Sequence, residues 1–148
     1  MNLKLHTDFG LRVLMYLAHA GRKATVAEIA NSFAISRHHL LKVAADLSRH
    51  GWVRTIRGRS GGVVLNVDPS SIDVGEAVAL LEGRTNMLEC VGTPEVCRLE
   101  PGCRLRSRLI QAEQAFFHAL SGVTVADLVR RPGTQHGLAA LLDDQPGG

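Results

Sequence analysis

The sequence predicts a mainly α fold with one small β-hairpin wing, and three observations predict it. Apolar residues recur at spacings of three and four through most of the chain, which is the period of amphipathic helices. One stretch, residues 52–67, switches to β-prone residues on either side of a Gly-rich turn. The 148 residues are 45% hydrophobic with a mean hydropathy of +0.06, enough for a packed core. Only 4% are aromatic, so Leu, Val, Ile and Ala must build that core. No apolar run approaches the roughly 20 residues needed to span a bilayer, and MNLKLHTDFG lacks the apolar stretch of a secretory leader. Membrane and exported proteins are thereby disfavoured, and a cytoplasmic protein is expected.

Each element has its own signals. Residues 3–20 place Leu5, Phe9, Val13, Tyr16 and Leu17 on one helical face, and Gly21 stops that helix. Thr25 with Glu28 three residues on forms a capping-box pattern, opening a short helix with Ile29 and Phe33 inward. Ala34-Ile35 makes a tight connection. Ser36 then caps a third helix to about Arg49, with Leu40, Val43 and Leu47 inside and Gly51 at its end. Residues 52–56 and 63–67 flank the basic turn 57–62 as a hairpin. After Pro69-Ser70-Ser71, Asp73 caps a helix carrying Val74, Ala77, Val78 and Leu81 to Gly83.

Residues 84–102 show no period, contain Gly92, Pro94, Pro101 and Gly102, and read as a loop. A long helix resumes from Cys103 to Leu120 with Leu105, Leu109, Ala112, Phe116 and Leu120 in one stripe. Ile110 and Phe117 widen that stripe beyond what one small domain needs. Residues 124–129 form one more capped turn, and the Gly, Pro and Gln content after Pro132 predicts a frayed end. The expected organisation is a DNA-binding region at 1–83, a cofactor loop at 84–102, a dimerisation helix and short helix at 103–131, and a flexible tail at 132–148.

Three helices followed by a two-stranded hairpin is the order of a winged helix-turn-helix. In that arrangement the third helix presents Ser36, Arg37, His38, His39 and Lys42 at the end where a recognition helix meets base edges. The wing turn adds Arg57, Arg59, Ser60 and Gly61, where glycine permits close backbone approach and the guanidiniums reach phosphate or a narrow minor groove. Charge agrees with this placement. The first 60 residues hold ten Lys/Arg against three Asp/Glu, and the remainder seven against eleven, leaving the chain at +3. A basic front half points to a polyanion, here double-stranded DNA. The alternative is a solvated basic face on ordinary amphipathic helices.

All three cysteines, Cys90, Cys97 and Cys103, fall within fourteen positions. An odd count cannot pair off completely within the chain, and the spacing is not that of a zinc ribbon. The polar Gly/Pro surroundings, with Glu89 and Glu95 nearby, disfavour a role as small buried hydrophobes. A redox switch and ligation of an iron–sulfur cluster both stand on spacing alone.

Several segments together resemble the NsrR group of Rrf-type bacterial repressors. They are the opening at residues 3–12 (LKLHTDFGLR), the helix at 35–42 (ISRHHLLK), the wing at 57–62 (RGRSGG) and the triple-cysteine loop. Cys103-Arg104-Leu105 and Ala126-Asp127-Leu128-Val129 also fit, so the likeness covers about residues 1–130. The resemblance implies a homodimeric transcriptional repressor that senses nitric oxide through a 4Fe–4S cluster, with 2Fe–2S after exposure to air. It implies cluster ligation by Cys90, Cys97 and Cys103, a fourth ligand from Asp8 of the partner subunit, and coupling to DNA through Arg12. Taken without the resemblance, Asp8 is an acidic first-turn residue favoured by the helix dipole. Related IscR-type regulators carry a histidine three positions after the last cysteine, where this chain has Arg106.

On this reading the dimer binds a palindromic operator and releases it when the cluster is nitrosylated or lost. The nearest alternative is a regulator of the same fold sensing iron or iron–sulfur status. A thiol-based redox protein is the alternative from another class. No CxxC, nucleophile–base pairing or phosphate loop supports an enzyme.

Overall fold

α1 (Leu5–Ala20) is the helix around which the other elements assemble. The computed structural model describes residues 3–58, 61–83 and 102–143. Gly21 ends α1 at φ +62°, with its N–H on Leu17 O at 3.1 Å, a left-handed stop that glycine takes without strain. Val13, Leu14, Tyr16 and Leu17 are all essentially inaccessible. Gly10 sets the distance to the helix ending at Glu82, because a Cβ there would lie 2.7 Å from Leu81 Cδ1.

The expected inner stripe of this helix is displaced at its start. Leu5 is 67% exposed, and the inward position belongs to Thr7, which is fully buried. A polar partner makes that possible, since Thr7 Oγ1 donates to Glu82 Oε1 at 2.5 Å.

α2 (Val26–Ser32) starts on a capping box: Thr25 Oγ1 accepts from Glu28 N (3.0 Å), and Thr25 N donates to Glu28 Oε2 (3.3 Å). Tyr16 Oη and Arg22 Nη2 also donate to Glu28 Oε1, at 2.9 and 2.7 Å, pinning α2 to the end of α1. Burial pushes the Glu28 carboxyl up, but these donors together outweigh it and hold the group below the usual carboxylate range. Ala34 at φ +52° makes the turn into α3 (Arg37–Arg49), whose cap is Ser36 Oγ accepting from His39 N at 3.2 Å. Leu40, Val43, Ala44 and Leu47 form its inner face.

Gly51 at φ +78° turns the chain into β1 (Val53–Ile56), which pairs antiparallel with β2 (Gly62–Leu65), Val53 opposite Leu65 and Ile56 opposite Gly62. Ala24 adds a rung to β2 through N–H···O bonds of 3.0 and 2.7 Å with Val63. That is why position 62 is glycine: a Cβ would lie 2.5 Å from Ala24 O.

After a 3₁₀ turn at Pro69–Ser71 comes α4 (Val74–Glu82), capped by Asp73 Oδ1 on Glu76 N at 2.9 Å. Asp73 Oδ2 also accepts from Gly122 N at 2.6 Å, and Val74 N–H reaches Val123 O at 2.8 Å, so the later part of the chain is stitched to α4. α5 (Arg104–Leu120) packs on α4, yet none of its residues is buried. α6 (Val125–Arg130) begins on a Thr124–Asp127 capping box and packs on α1.

Residues 132–148, expected as a flexible tail, form a helix as far as Asp143, here α7 (Pro132–Asp143). Proline fits a helix start. Leu138 is buried and Leu142 packs on the core, which outweighs the cost of Gly133 and Gly137. Residues 144–148, and nearly all of the loop at 84–102, lie outside the described residues.

Candidate functional site

The N-terminal end of α3 is polar and open. Arg37, His38, His39 and Lys42 are all exposed there. Ser36 is exposed too, with its oxygen already committed to the cap. The wing approaches this end of α3, and Arg37, Leu41, Val26, Ile56 and Gly58 line a groove of about 380 Å³ between them. Arg57 stands exposed at the wing turn, while Arg59 and Ser60 lie outside the described residues. Gly61 has a local reason to be glycine. Its N–H closes the turn on Gly58 O at 2.9 Å, and a Cβ would meet Ile56 O at 2.6 Å. His39 faces α1, its ring 6.2 Å from Phe9.

Two residues of this face lie outside the contact set expected from the sequence. Arg54 is exposed on β1, adding a cation near the wing. Leu41 is 50% exposed on α3. Its position falls off the three-and-four stripe of Leu40, Val43 and Leu47, and that was the available clue.

The second constellation surrounds the start of α1. Asp8 Oδ1 accepts from Arg12 Nε at 2.9 Å, both side chains being substantially exposed. The Arg12 guanidinium also lies 5.8 Å from the centroid of the Phe33 ring, a cation–π contact at the turn between α2 and α3. On one side of this turn of α1, His6 Nε2 donates to Asp46 Oδ2 of α3 at 2.8 Å, and Arg49 Nη2 donates to Asp46 Oδ1 at 2.5 Å. Burial pushes the Asp46 carboxyl up, but the His6 and Arg49 donors prevail and lower it. On the other side, Lys4 N donates to Glu82 Oε1 (2.8 Å) and Lys4 Nζ to Glu82 O (2.5 Å), beside the Thr7 bond. Neither the His6–Asp46 nor the Thr7–Glu82 pair follows from sequence spacing, because the partners lie 40 and 75 residues apart.

Cys103 occupies the N-cap position of α5, half-buried, making no cap hydrogen bond and no disulfide. Cys90 and Cys97 lie outside the described residues. Among the described residues no three His, Cys, Asp or Glu side chains converge on a metal site. The two described candidates have the chemistry that a cluster requires, a soft thiol and an exposed carboxylate oxygen. Arg106 stands on α5 where IscR-type regulators carry histidine.

A family model described as "Rrf2: Iron-dependent Transcriptional regulator" matches residues 3–131. The chain belongs to the Rrf2 family. It is therefore a DNA-binding transcriptional regulator with a winged-helix fold. Solved structures agree with that fold. CymR of Staphylococcus aureus in its oxidized form matches at TM-score 0.71 and 24% identity, covering 88% of this chain and 98% of that one. CymR of B. subtilis, the global cysteine regulator of that organism, matches at 0.71 and 25%, covering 86% and 95%. IscR of T. potens matches at 0.69 and 20%, covering 100% and 94%, a likeness of fold. No helix among the described residues of this Rrf2 regulator is long and apolar enough to cross a membrane.

Proposed function

We propose that this Rrf2 regulator is a homodimeric repressor of the NsrR type, which senses nitric oxide through a 4Fe–4S cluster and releases its operators when that cluster is nitrosylated or lost. Cys90, Cys97 and Cys103 would hold the cluster, with Asp8 from the partner subunit as fourth ligand. When bound, the cluster supplies iron that reacts with nitric oxide.

The observation that carries this reading is the position of Asp8. Its exposed carboxylate is held by Arg12, and Arg12 also contacts Phe33 beside the recognition helix. A change in what Asp8 binds is therefore felt at the turn that sets the angle between α2 and α3. The described residues support the dimer through α5, whose apolar stripe is only half-buried against α4, with Leu105 left 64% exposed. Pairing of α5 with its two-fold mate would cover Leu109, Phe116 and their neighbours. The two copies of α3 would then face half-sites about one helical turn, or a multiple, apart. Ser36, Arg37, His38, His39 and Lys42 at α3, with Arg57, Arg59, Ser60 and Gly61 at the wing, form the DNA contact surface on this reading.

Sensing requires the loaded form to hold DNA more tightly. A 100-fold difference corresponds to roughly 2.7 kcal/mol. The test is anaerobic reconstitution followed by nitric oxide titration, reading cluster absorbance and operator binding in one sample. Loss of both together is expected, and equal operator affinity of metal-free and loaded protein overturns the reading. The family description, an iron-dependent regulator, favours a second reading in which iron or cluster supply is the signal. Operator release on iron chelation, with no response to nitric oxide beyond it, selects that one.

A further inference from the structure

Leu41 is the feature of the DNA face that charge does not explain. Its neighbours Leu40, Val43, Ala44 and Leu47 complete the inner face of α3, and each is 5% exposed or less. Leu41 is 50% exposed and contributes little to that core. It lies one helical turn after Arg37, and both line the groove whose other walls are Val26 and Ala27 at the start of α2 and Ile56 and Gly58 of the wing. Arg37 shares that groove, and the other exposed side chains of α3 and the wing include the cationic or polar His38, Lys42, Arg54 and Arg57. A surface of that charge fits nucleic acid rather than an apolar protein partner.

Within a major groove a leucine has one favourable neighbour. Base edges there present donors, acceptors and a single apolar group, the 5-methyl of thymine. A leucine set against the cytosine amino group, or against a purine edge, leaves a polar group without a partner. We infer that Leu41 reads a thymine methyl, and so is a specificity-determining residue, one per half-site. This inference rests on α3 being the recognition helix and is independent of the cluster and its signal.

The test first selects binding sites from a random DNA pool with the full chain after anaerobic reconstitution. Deoxyuridine then replaces thymidine at each selected position in turn, which removes the methyl and nothing else. At one thymine in each half-site the substitution should weaken binding about fourfold, the factor expected for one buried methyl. Leu41→Ala should bind thymidine and deoxyuridine equally at that position while keeping the salt dependence of the parent, because no phosphate contact is removed. Equal binding of both duplexes by the parent overturns the inference. Retention of the fourfold preference by Leu41→Ala also overturns it, and unchanged DNA binding by this variant assigns Leu41 to a protein contact instead. Failure to select any sequence would remove α3 as the reading element, a different outcome from a selected site that ignores the methyl. Leu41→Ala is expected to unfold as the parent does, which a thermal melt checks.

Discussion

Helices α3 and α5 are both amphipathic, but α3 fully buries Leu40, Val43, Ala44 and Leu47, while α5 keeps Leu109, Ile110, Phe116 and Phe117 only half-buried. The shorter helix is wedged between α1, α2 and β1, so each of its inward residues has neighbours on several sides. The longer one touches mainly α4 and leaves Leu105 64% exposed. Equal patterning thus has two outcomes. An apolar stripe is an instruction to be covered, and the rest of the chain decides whether the cover is internal.

The sharpest way to break this comparison is to truncate one residue on each helix. Leu47→Ala should lower the unfolding free energy by about 3 kcal/mol, the usual cost of a cavity under a buried leucine. Leu109→Ala should cost far less in dilute solution and should instead raise the concentration at which the chain self-associates. Urea denaturation across a range of protein concentrations reads both, and equal losses at the lowest concentration would dissolve the distinction. Next in size is Gly10→Val, which forces branched atoms into the contact with Leu81 and should cost about 2 kcal/mol. Valine tolerated there without loss of stability would mean that α1 and α4 can move apart.

Smaller effects sharpen the functional side. Ser36→Ala removes the α3 cap and should cost about 1 kcal/mol with no change in the salt dependence of DNA binding. Arg57→Gln should do the reverse, leaving stability alone and reducing the salt slope by about one. If Ser36→Ala changes the slope, its hydroxyl contacts phosphate as well as the helix.

The smallest expected effect belongs to Asp46. Its carboxyl lies below the usual aspartate value in the folded chain, so the unfolded chain takes up a proton first as acid is added. The stabilising contribution is therefore complete near neutrality and is lost as pH falls through the folded-state value. Asp46→Asn should unfold more easily than the parent at about pH 7, and the gap should close as pH falls through the folded-state value. A gap that stays constant throughout would assign the loss to packing rather than charge.

Local signals carried most of the fold. Thr25, Ser36, Asp73 and Thr124 each cap the helix their sequence context indicates, because a cap needs only a side-chain oxygen two or three residues from an amide. The hairpin was visible for the same reason, although its strands run 53–56 and 62–65 rather than 52–56 and 63–67, with Gly62 drawn in by Ala24. Two readings failed where distant chain intervened. Leu5 was assigned inward by period alone, and Glu82 gave that place to Thr7. Residues 132–143 read as a frayed end by composition, yet this helix packs on α1 with Leu138 buried and Leu142 against the core. The candidate site divides the same way. Arg37, Lys42 and Arg57 stand exposed where periodicity put them, while the Arg12 contact with Phe33 and the Asp46 and Glu82 clasps needed coordinates.

By itself the sequence determined where the capped helices begin, which residues line the face of α3, and that the basic residues gather in the first half of the chain. These depend on interactions within a turn or on summed charge, which survive without knowledge of the fold. Only the tertiary structure decided that α1 is clasped by α3 and α4 and that Arg12 joins Asp8 to the turn before α3. Those depend on which groups meet after roughly 20 to 80 residues of intervening chain, and no local rule of spacing specifies such a meeting.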